Sequence, residues 1–209
     1  MDTLLLKIGQ LNNTASANHG VILERVIKTC VQMLQDRNLE VSNECRTISD
    51  VVYKMQENEH ILVGTDQTRT SLIFFHNEER VGVKQMRLWS EEHSDADIII
   101  VSLDGPTAFT KKEADNSPNN SIQFFTFKNL CVNITLHAIV PKHEKLSNEE
   151  AENIKLQYST CDAKLPKLYK SDPICQYYNF EVGSLIKITR TIGYPEPVFF
   201  YRLVCKAID

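Results

Sequence analysis

Four consecutive β-branched apolar residues, Ile98-Ile99-Ile100-Val101, leave this chain little choice of architecture. A strand turns successive side chains to opposite faces, so a run that is apolar at every position must be buried on both. Such a strand is central in its sheet and needs helices packed above and below it. The surrounding sequence supplies them. From Val21 to Gln35 the apolar positions Ile22, Leu23, Val26, Ile27, Cys30, Val31 and Leu34 recur at helical spacing, with Asn18 placed to cap the start and Arg37-Asn38 ending the pattern. A second helix is expected from about Ser42 to Asn58, burying Ile48, Val51, Val52 and Met55. Ile61-Leu62-Val63 and Ser71–Phe75 read as short buried strands. After Gly82, the spacing of Val83, Met86 and Trp89 predicts a helix to about Glu92, with Trp89 in the core. Gly105-Pro106 stops the apolar strand, a short helix is expected over 107–115, and Ile122–Phe125 and Val132–Thr135 complete this half as strands.

The second half is built differently. Ser147-Asn148-Glu149-Glu150 has the spacing of a capping box, in which Ser147 and Glu150 each satisfy the other's exposed amide. Leu165-Pro166 must be extended, because the proline ring excludes the helical region for its neighbour. Asp172-Pro173 combines an N-cap acid with proline at the first helical position, and Asn179 can end that short helix in a left-handed turn. Ser184–Arg190 and Val198–Val204 alternate as two strands joined through Gly193-Tyr194-Pro195. The expected fold is an α/β first domain, a mixed sheet with flanking helices over 19–136, followed by a small α+β domain over 137–209. Residues 1–18, polar after three leucines, read as a flexible leader.

Charge narrows the function. Residues 1–136 hold 13 Lys/Arg against 18 Asp/Glu, and residues 137–209 hold 10 against 9. A free-standing nucleic-acid binder draws most of its affinity from phosphate neutralisation and needs a basic face, which this chain lacks. No apolar run approaches the ~20 residues of a membrane span, and Met1–Lys7 lacks the basic flank of a signal peptide, so a reducing compartment and no membrane partner are expected. Cys30, Cys45, Cys131, Cys161, Cys175 and Cys205 form no CxxC pair. Cys131, His137 and His143 are the nearest approach to a metal set, but buried thiols explain the cysteines better. No cofactor is implied. Asp66 with Glu78-Glu79-Arg80 is the one combination from which a metal-dependent nuclease could be argued. No nucleophile–base arrangement surrounds the histidines.

Several tracts resemble a known family. Leu165-Pro166-Lys167-Leu168, Ser171–Tyr178, Gly183–Arg190 and Tyr201-Arg202-Leu203-Val204 resemble the C-terminal domain of the fifth subunit shared by eukaryotic nuclear RNA polymerases, a module archaea carry alone as a separate small polymerase subunit. Val132–His143 resembles the segment joining that family's two domains. Phe74-Phe75, Val81-Gly82-Val83-Lys84 and the strand before Gly105 resemble its N-terminal jaw domain. The resemblance implies a non-catalytic subunit of a DNA-directed RNA polymerase, a monomer within a hetero-oligomer. It implies packing on the largest subunit and neighbouring small subunits, with the jaw beside downstream double-stranded DNA. Residues matching the polymerase-facing module are His137, Pro141, Leu165, Pro166, Asp172, Pro173, Tyr177, Tyr178, Arg190, Tyr201 and Arg202; those near DNA would be Thr107, Thr110, Lys111 and Lys112.

Three departures stand out. The family has an acid where this chain has Ala138, commonly a glycine near Asn179, and a different order around Gly105-Pro106-Thr107-Ala108. Together they resemble the divergent homologues of large cytoplasmic DNA viruses of the African swine fever type. That would place the chain in the host cytoplasm and virion; a cellular subunit would be nuclear. A free-standing DNA-binding or adaptor module is the alternative.

Overall fold

The computed structural model describes residues 19–43, 47–117, 121–191 and 196–206. The expected leader, the Asn18 cap, Cys45 and the Gly193-Tyr194-Pro195 turn lie outside the described residues. The chain divides into two compact units, 1–132 and 133–209.

The first unit contains a five-stranded sheet. In chain order it holds α1 (His19–Asp36), β1 (Glu40–Asn43), α2 (Ile48–Glu57), β2 (His60–Thr65), β3 (Thr70–Phe75), α3 (Val83–Glu92), β4 (Ala96–Ser102), α4 (Ala108–Asp115), β5 (Ile122–Thr126) and α5 (Phe127–Leu130). The strand order is β1-β2-β3-β4-β5, antiparallel as far as β3 and parallel from β3 to β5. The apolar run of β4 lies between β3 and β5, and Ile98, Ile99, Ile100 and Val101 are all at most 1% exposed. Ile98 and Ile100 join Leu72, Phe74, Met86, Trp89 and Ala114 on the face covered by α3 and α4. Both helices on one face is what successive right-handed crossovers between parallel strands produce. Trp89 stacks on Phe74 with ring centroids 4.7 Å apart, and its indole N–H donates to the Asn58 carbonyl at 2.9 Å. On the opposite face Phe75 meets Phe127 of α5 edge to face at 5.4 Å. There α1 approaches β2 so closely that a Cβ on Gly64 would lie 3.1 Å from Leu34 Cδ2.

Two expectations for this unit fail. The residues from Ser42 do not begin a helix: Glu40–Asn43 pair with β2 as an edge strand, and the helix starts at Ile48. Thr47 and Asp50 form the capping box there, satisfying two amides that a start at Ser42 would leave to chance. Val132–Thr135 is not a strand. Asn133 Oδ1 accepts from the backbone N–H (2.9 Å) and hydroxyl (2.7 Å) of Thr135, drawing the chain into a 3-10 helix over Ile134–Leu136.

The second unit opens with that turn and continues through β6 (Lys142–Lys145), α6 (Asn148–Gln157), β7 (Lys167–Tyr169), α7 (Pro173–Tyr178), β8 (Leu185–Arg190) and β9 (Val198–Cys205). Its sheet has the order β6-β8-β9-β7, with β7 and β9 parallel and the other neighbours antiparallel. The Ser147–Glu150 capping box forms as expected and starts α6. One sheet face packs Ile186, Ile188, Val204 and Leu168 beneath Ile174, Cys175 and Phe180. The other packs Leu185 and Leu203 against Leu165 and the α6 residues Ala151 and Ile154.

Candidate partner interface

The second unit gathers most of the residues singled out above, and local hydrogen bonds explain why. Asp172 accepts from the Ile174 N–H at 2.8 Å, and Pro173, which has no N–H to satisfy, follows it. Asn179 closes the six-residue helix in the left-handed region, φ 52°. Lys170 fastens that end, donating to Asn179 Oδ1 and to the Phe180 carbonyl, both at 2.8 Å. α7 is therefore held at both ends despite its length.

That rigidity separates residues that support a surface from those that form one. Tyr177 is 2% exposed, and its hydroxyl accepts from Asn133 Nδ2 at 3.0 Å. Tyr178 is half-buried and stacks on Phe180 with centroids 5.1 Å apart. Leu165 is buried, while the Pro166 carbonyl accepts from the Leu203 N–H. Tyr201 is half-buried beside Tyr158, and burial, then that neighbour, push its hydroxyl pKa up. His137 is exposed, with Nδ1 accepting from the Ile139 N–H at 3.3 Å. The half-buried Pro141 offers its carbonyl to His143 Nδ1 at 2.7 Å. Burial holds the His143 pKa below its ordinary value; the Pro141 bond and Asp172 work against that, and Arg202 and Arg190 add to it.

Two aromatic residues that sequence reasoning passed over reach solvent. Phe199 is 47% exposed and Phe200 39%, on opposite faces of β9 beyond the covered part of the sheet. Each lies beneath a cation: Lys187 Nζ is 4.4 Å from the Phe199 ring centroid, and the Arg190 guanidinium is 5.1 Å from that of Phe200. Their adjacency was the available signal. Two neighbouring aromatic residues on a strand occupy both faces, and a sheet only partly covered must leave one or both exposed.

In the first unit, Thr107 caps α4 by accepting from the Thr110 N–H at 3.2 Å. Thr110 is wholly buried and its hydroxyl donates to the Val81 carbonyl at 2.9 Å. Of the four residues proposed to lie near DNA, Lys111 and Lys112 are the exposed ones, beside Phe109 at 63%. Gly105, at φ 78°, makes the left-handed turn that an L side chain would strain.

The nuclease alternative meets a geometric obstacle. Asp66 precedes β3 and Glu78 follows it, so a six-residue strand of roughly 20 Å separates them. The Asp66 carboxylate is also occupied: Oδ1 accepts from the Thr68 N–H, the Thr68 hydroxyl and the Arg69 N–H. These bonds, with the Arg69 side chain, lower its pKa to about 2. Among the described residues no three His, Cys, Asp or Glu converge to hold a metal ion. No helix among them is long and apolar enough to cross a membrane.

Comparison with known proteins follows the same division. Residues 132–204 match the family described as RNA polymerase Rpb5, C-terminal domain. Over 200 residues the chain is 28% identical to the DNA-directed RNA polymerases I, II, and III subunit RPABC1 of Caenorhabditis elegans, covering 87% of this chain and 95% of that one. It is 29% identical over 189 residues to the rpabc1 subunit of Dictyostelium discoideum, covering 87% and 96%. It is 29% identical over 192 residues to the DNA-directed RNA polymerase V subunit 5A of Arabidopsis thaliana, covering 84% and 83%.

Proposed function

We infer that this chain is a non-catalytic, structural subunit of a multisubunit DNA-directed RNA polymerase. The observation that carries the reading is a coincidence of boundaries. The stretch that matches the Rpb5 C-terminal family, 132–204, is the compact second unit, 133–209, almost residue for residue. Similarity to polymerase subunits also extends through the first unit, since it spans 87% of the chain. A part that docks into an assembly should have its own core and a surface left over. The second unit has both.

The finer reading assigns the two units different tasks. The second packs on the largest polymerase subunit and its small neighbours, using the surface that α7 and the β8–β9 end present. Tyr177 supports that surface from beneath, the half-buried Asp172 and exposed Pro173 fix the start of α7, and Arg190, Tyr201 and Arg202 lie at or near it. The first unit serves as a jaw beside downstream DNA, approaching phosphate through Lys111 and Lys112. Its acidic balance suits a part that DNA passes while the rest of the enzyme does the gripping. Ala138, Asn179 and the Gly105–Thr110 order favour a divergent viral version, working in the host cytoplasm and virion. A cellular subunit would work in the nucleus, as befits relatives from nematode, slime mould and plant.

Purification of the tagged full-length chain from its source or infected cell, followed by mass spectrometry, tests the reading. The two largest polymerase subunits should be recovered in stoichiometric amounts. Recovery of the chain alone, in salt mild enough to keep polymerases whole, would contradict it.

A further inference from the structure

We propose that the uncovered end of the second sheet receives an acidic segment of a protein partner, with Arg190 and Arg202 taking its carboxylates and Phe200 an apolar side chain. This deepens the reading above and rests on it. Directly paired residues share a sheet face, and the register pairs Phe200 with Ile188, Arg202 with Ile186, and Arg190 with Val198. His143 also pairs with Ile188, so His143, Ile188 and Phe200 form a row across three strands. All of these lie on the face that α7 covers farther along. Ile186 and Ile188 are sealed in that cluster, while Phe200 stands 39% exposed and both arginines are exposed.

The two guanidiniums have unused capacity. Arg190 rests on the Phe200 ring, which limits its motion before any partner arrives. Arg202 donates one long bond, 3.5 Å, to the Lys167 carbonyl. Among the described residues neither has an ion-pair partner. Asp172 is the acid felt at His143, along with these two arginines; its Oδ1 caps α7, and it forms no ion pair with either arginine among the described residues. A fork of five N–H donors matches a carboxylate in shape as well as charge. The exposed aromatic ring between the two forks adds an apolar anchor, the type that dominates interface energetics once water is excluded.

The geometry favours protein over nucleic acid. A phosphate backbone is held by a row of cations along a groove, whereas this face offers two forks flanking one ring. His143, also on this face, is held toward its neutral form by burial. Lys145, paired with Ile186 on this face, is already bonded to Glu181 at 2.7 Å.

The test replaces Phe200 in the full-length chain with photoreactive benzoylphenylalanine, irradiates the complex purified from the source cell, and sequences the attached peptide. The expected adduct is a protein segment with two or more Asp or Glu close to the attachment point. R190Q/R202Q should lower the adduct yield about tenfold or more without altering thermal unfolding of the chain, and R190K/R202K should restore part of it. An adduct with nucleic acid, an adduct with a segment lacking acids, no adduct, or an unaffected double glutamine variant would each overturn the proposal. If polymerase subunits are present and no acidic adduct forms, this inference fails and the subunit reading stands. If an acidic adduct forms in a preparation without polymerase, the subunit reading fails instead.

Discussion

In the first sheet the central strands carry apolar side chains on both faces, and helices cover each face. In the second, α7 and the cluster around α6 cover part of the sheet, and β8 and β9 run on beyond them. The first keeps Ile73, Ile98, Ile99, Ile100 and Val101 within 1% of complete burial. The second leaves Phe199 and Phe200 in solvent beneath Lys187 and Arg190. The difference lies in what each sheet lacks. The first completes its own interior, while the second leaves apolar and cationic side chains exposed at the end of β8 and β9.

The sharpest way to break this contrast is Ile100→Ala, which empties a site sealed on every side. It should cost about 2–5 kcal/mol of first-unit stability. Trp89 is the only tryptophan and stacks on Phe74 in the same cluster, so its fluorescence through a urea titration reports the loss directly. An unchanged midpoint would mean that the first core is not closed as described.

Tyr177→Phe sharpens the claim that α7 supports a surface from below. Removing the hydroxyl takes an acceptor from Asn133 Nδ2 in a buried site, at a cost of about 1–2 kcal/mol. Were Tyr177 instead a surface contact, the variant would lower recovery of partner subunits at full stability. Asp172→Ala should cost about 1 kcal/mol by uncapping α7, read as a lowered denaturation midpoint of the isolated chain.

Acid should affect the first unit through His76. It is 4% exposed, its ring lies 5.8 Å from that of Trp89, and burial lowers its pKa from 6.5 despite the opposing pull of Glu78 and the Arg80 backbone. A base with a depressed folded pKa takes up fewer protons than the unfolded chain. Its contribution is therefore intact above pH 6.5 and is lost as the pH falls toward the folded value. His76→Gln should flatten that slope in Trp89 fluorescence melts, and an unaltered slope would rule His76 out as its source. The smallest effect belongs to Phe200→Ala, which should change folding stability by less than about 1 kcal/mol while weakening partner retention. A large loss of stability there would place Phe200 in the core and erase the contrast.

The features legible in the amino-acid order are those that short-range chemistry decides. The Ser147–Glu150 box, the Asp172-Pro173 start and the Asn179 stop each act over three or four residues and appear as expected. The run Ile98–Val101 demanded two covered faces on composition alone. Longer-range partners were invisible. Glu40–Asn43 is a strand because β2 lies beside it, and nothing in Glu-Val-Ser-Asn says so. Lys142–Lys145 carries no apolar alternation, yet pairs with β8 along its length. At the candidate site, Arg190 and Arg202 were legible as positions, but the ring between them was not, because it takes the register of β8 against β9 to bring Phe200 to their face. The partner of the buried Tyr177 hydroxyl is likewise distant, Asn133 lying 44 residues earlier.

The division of labour between the two units is tested most directly by expressing residues 132–209 and residues 1–131 separately, each tagged, in the source cell and quantifying the largest polymerase subunit recovered with each. The 132–209 piece should bring it down about as well as the full chain, and the 1–131 piece should come down largely without it. Recovery with 1–131 but not with 132–209 would contradict the account, placing the docking surface on the sealed unit.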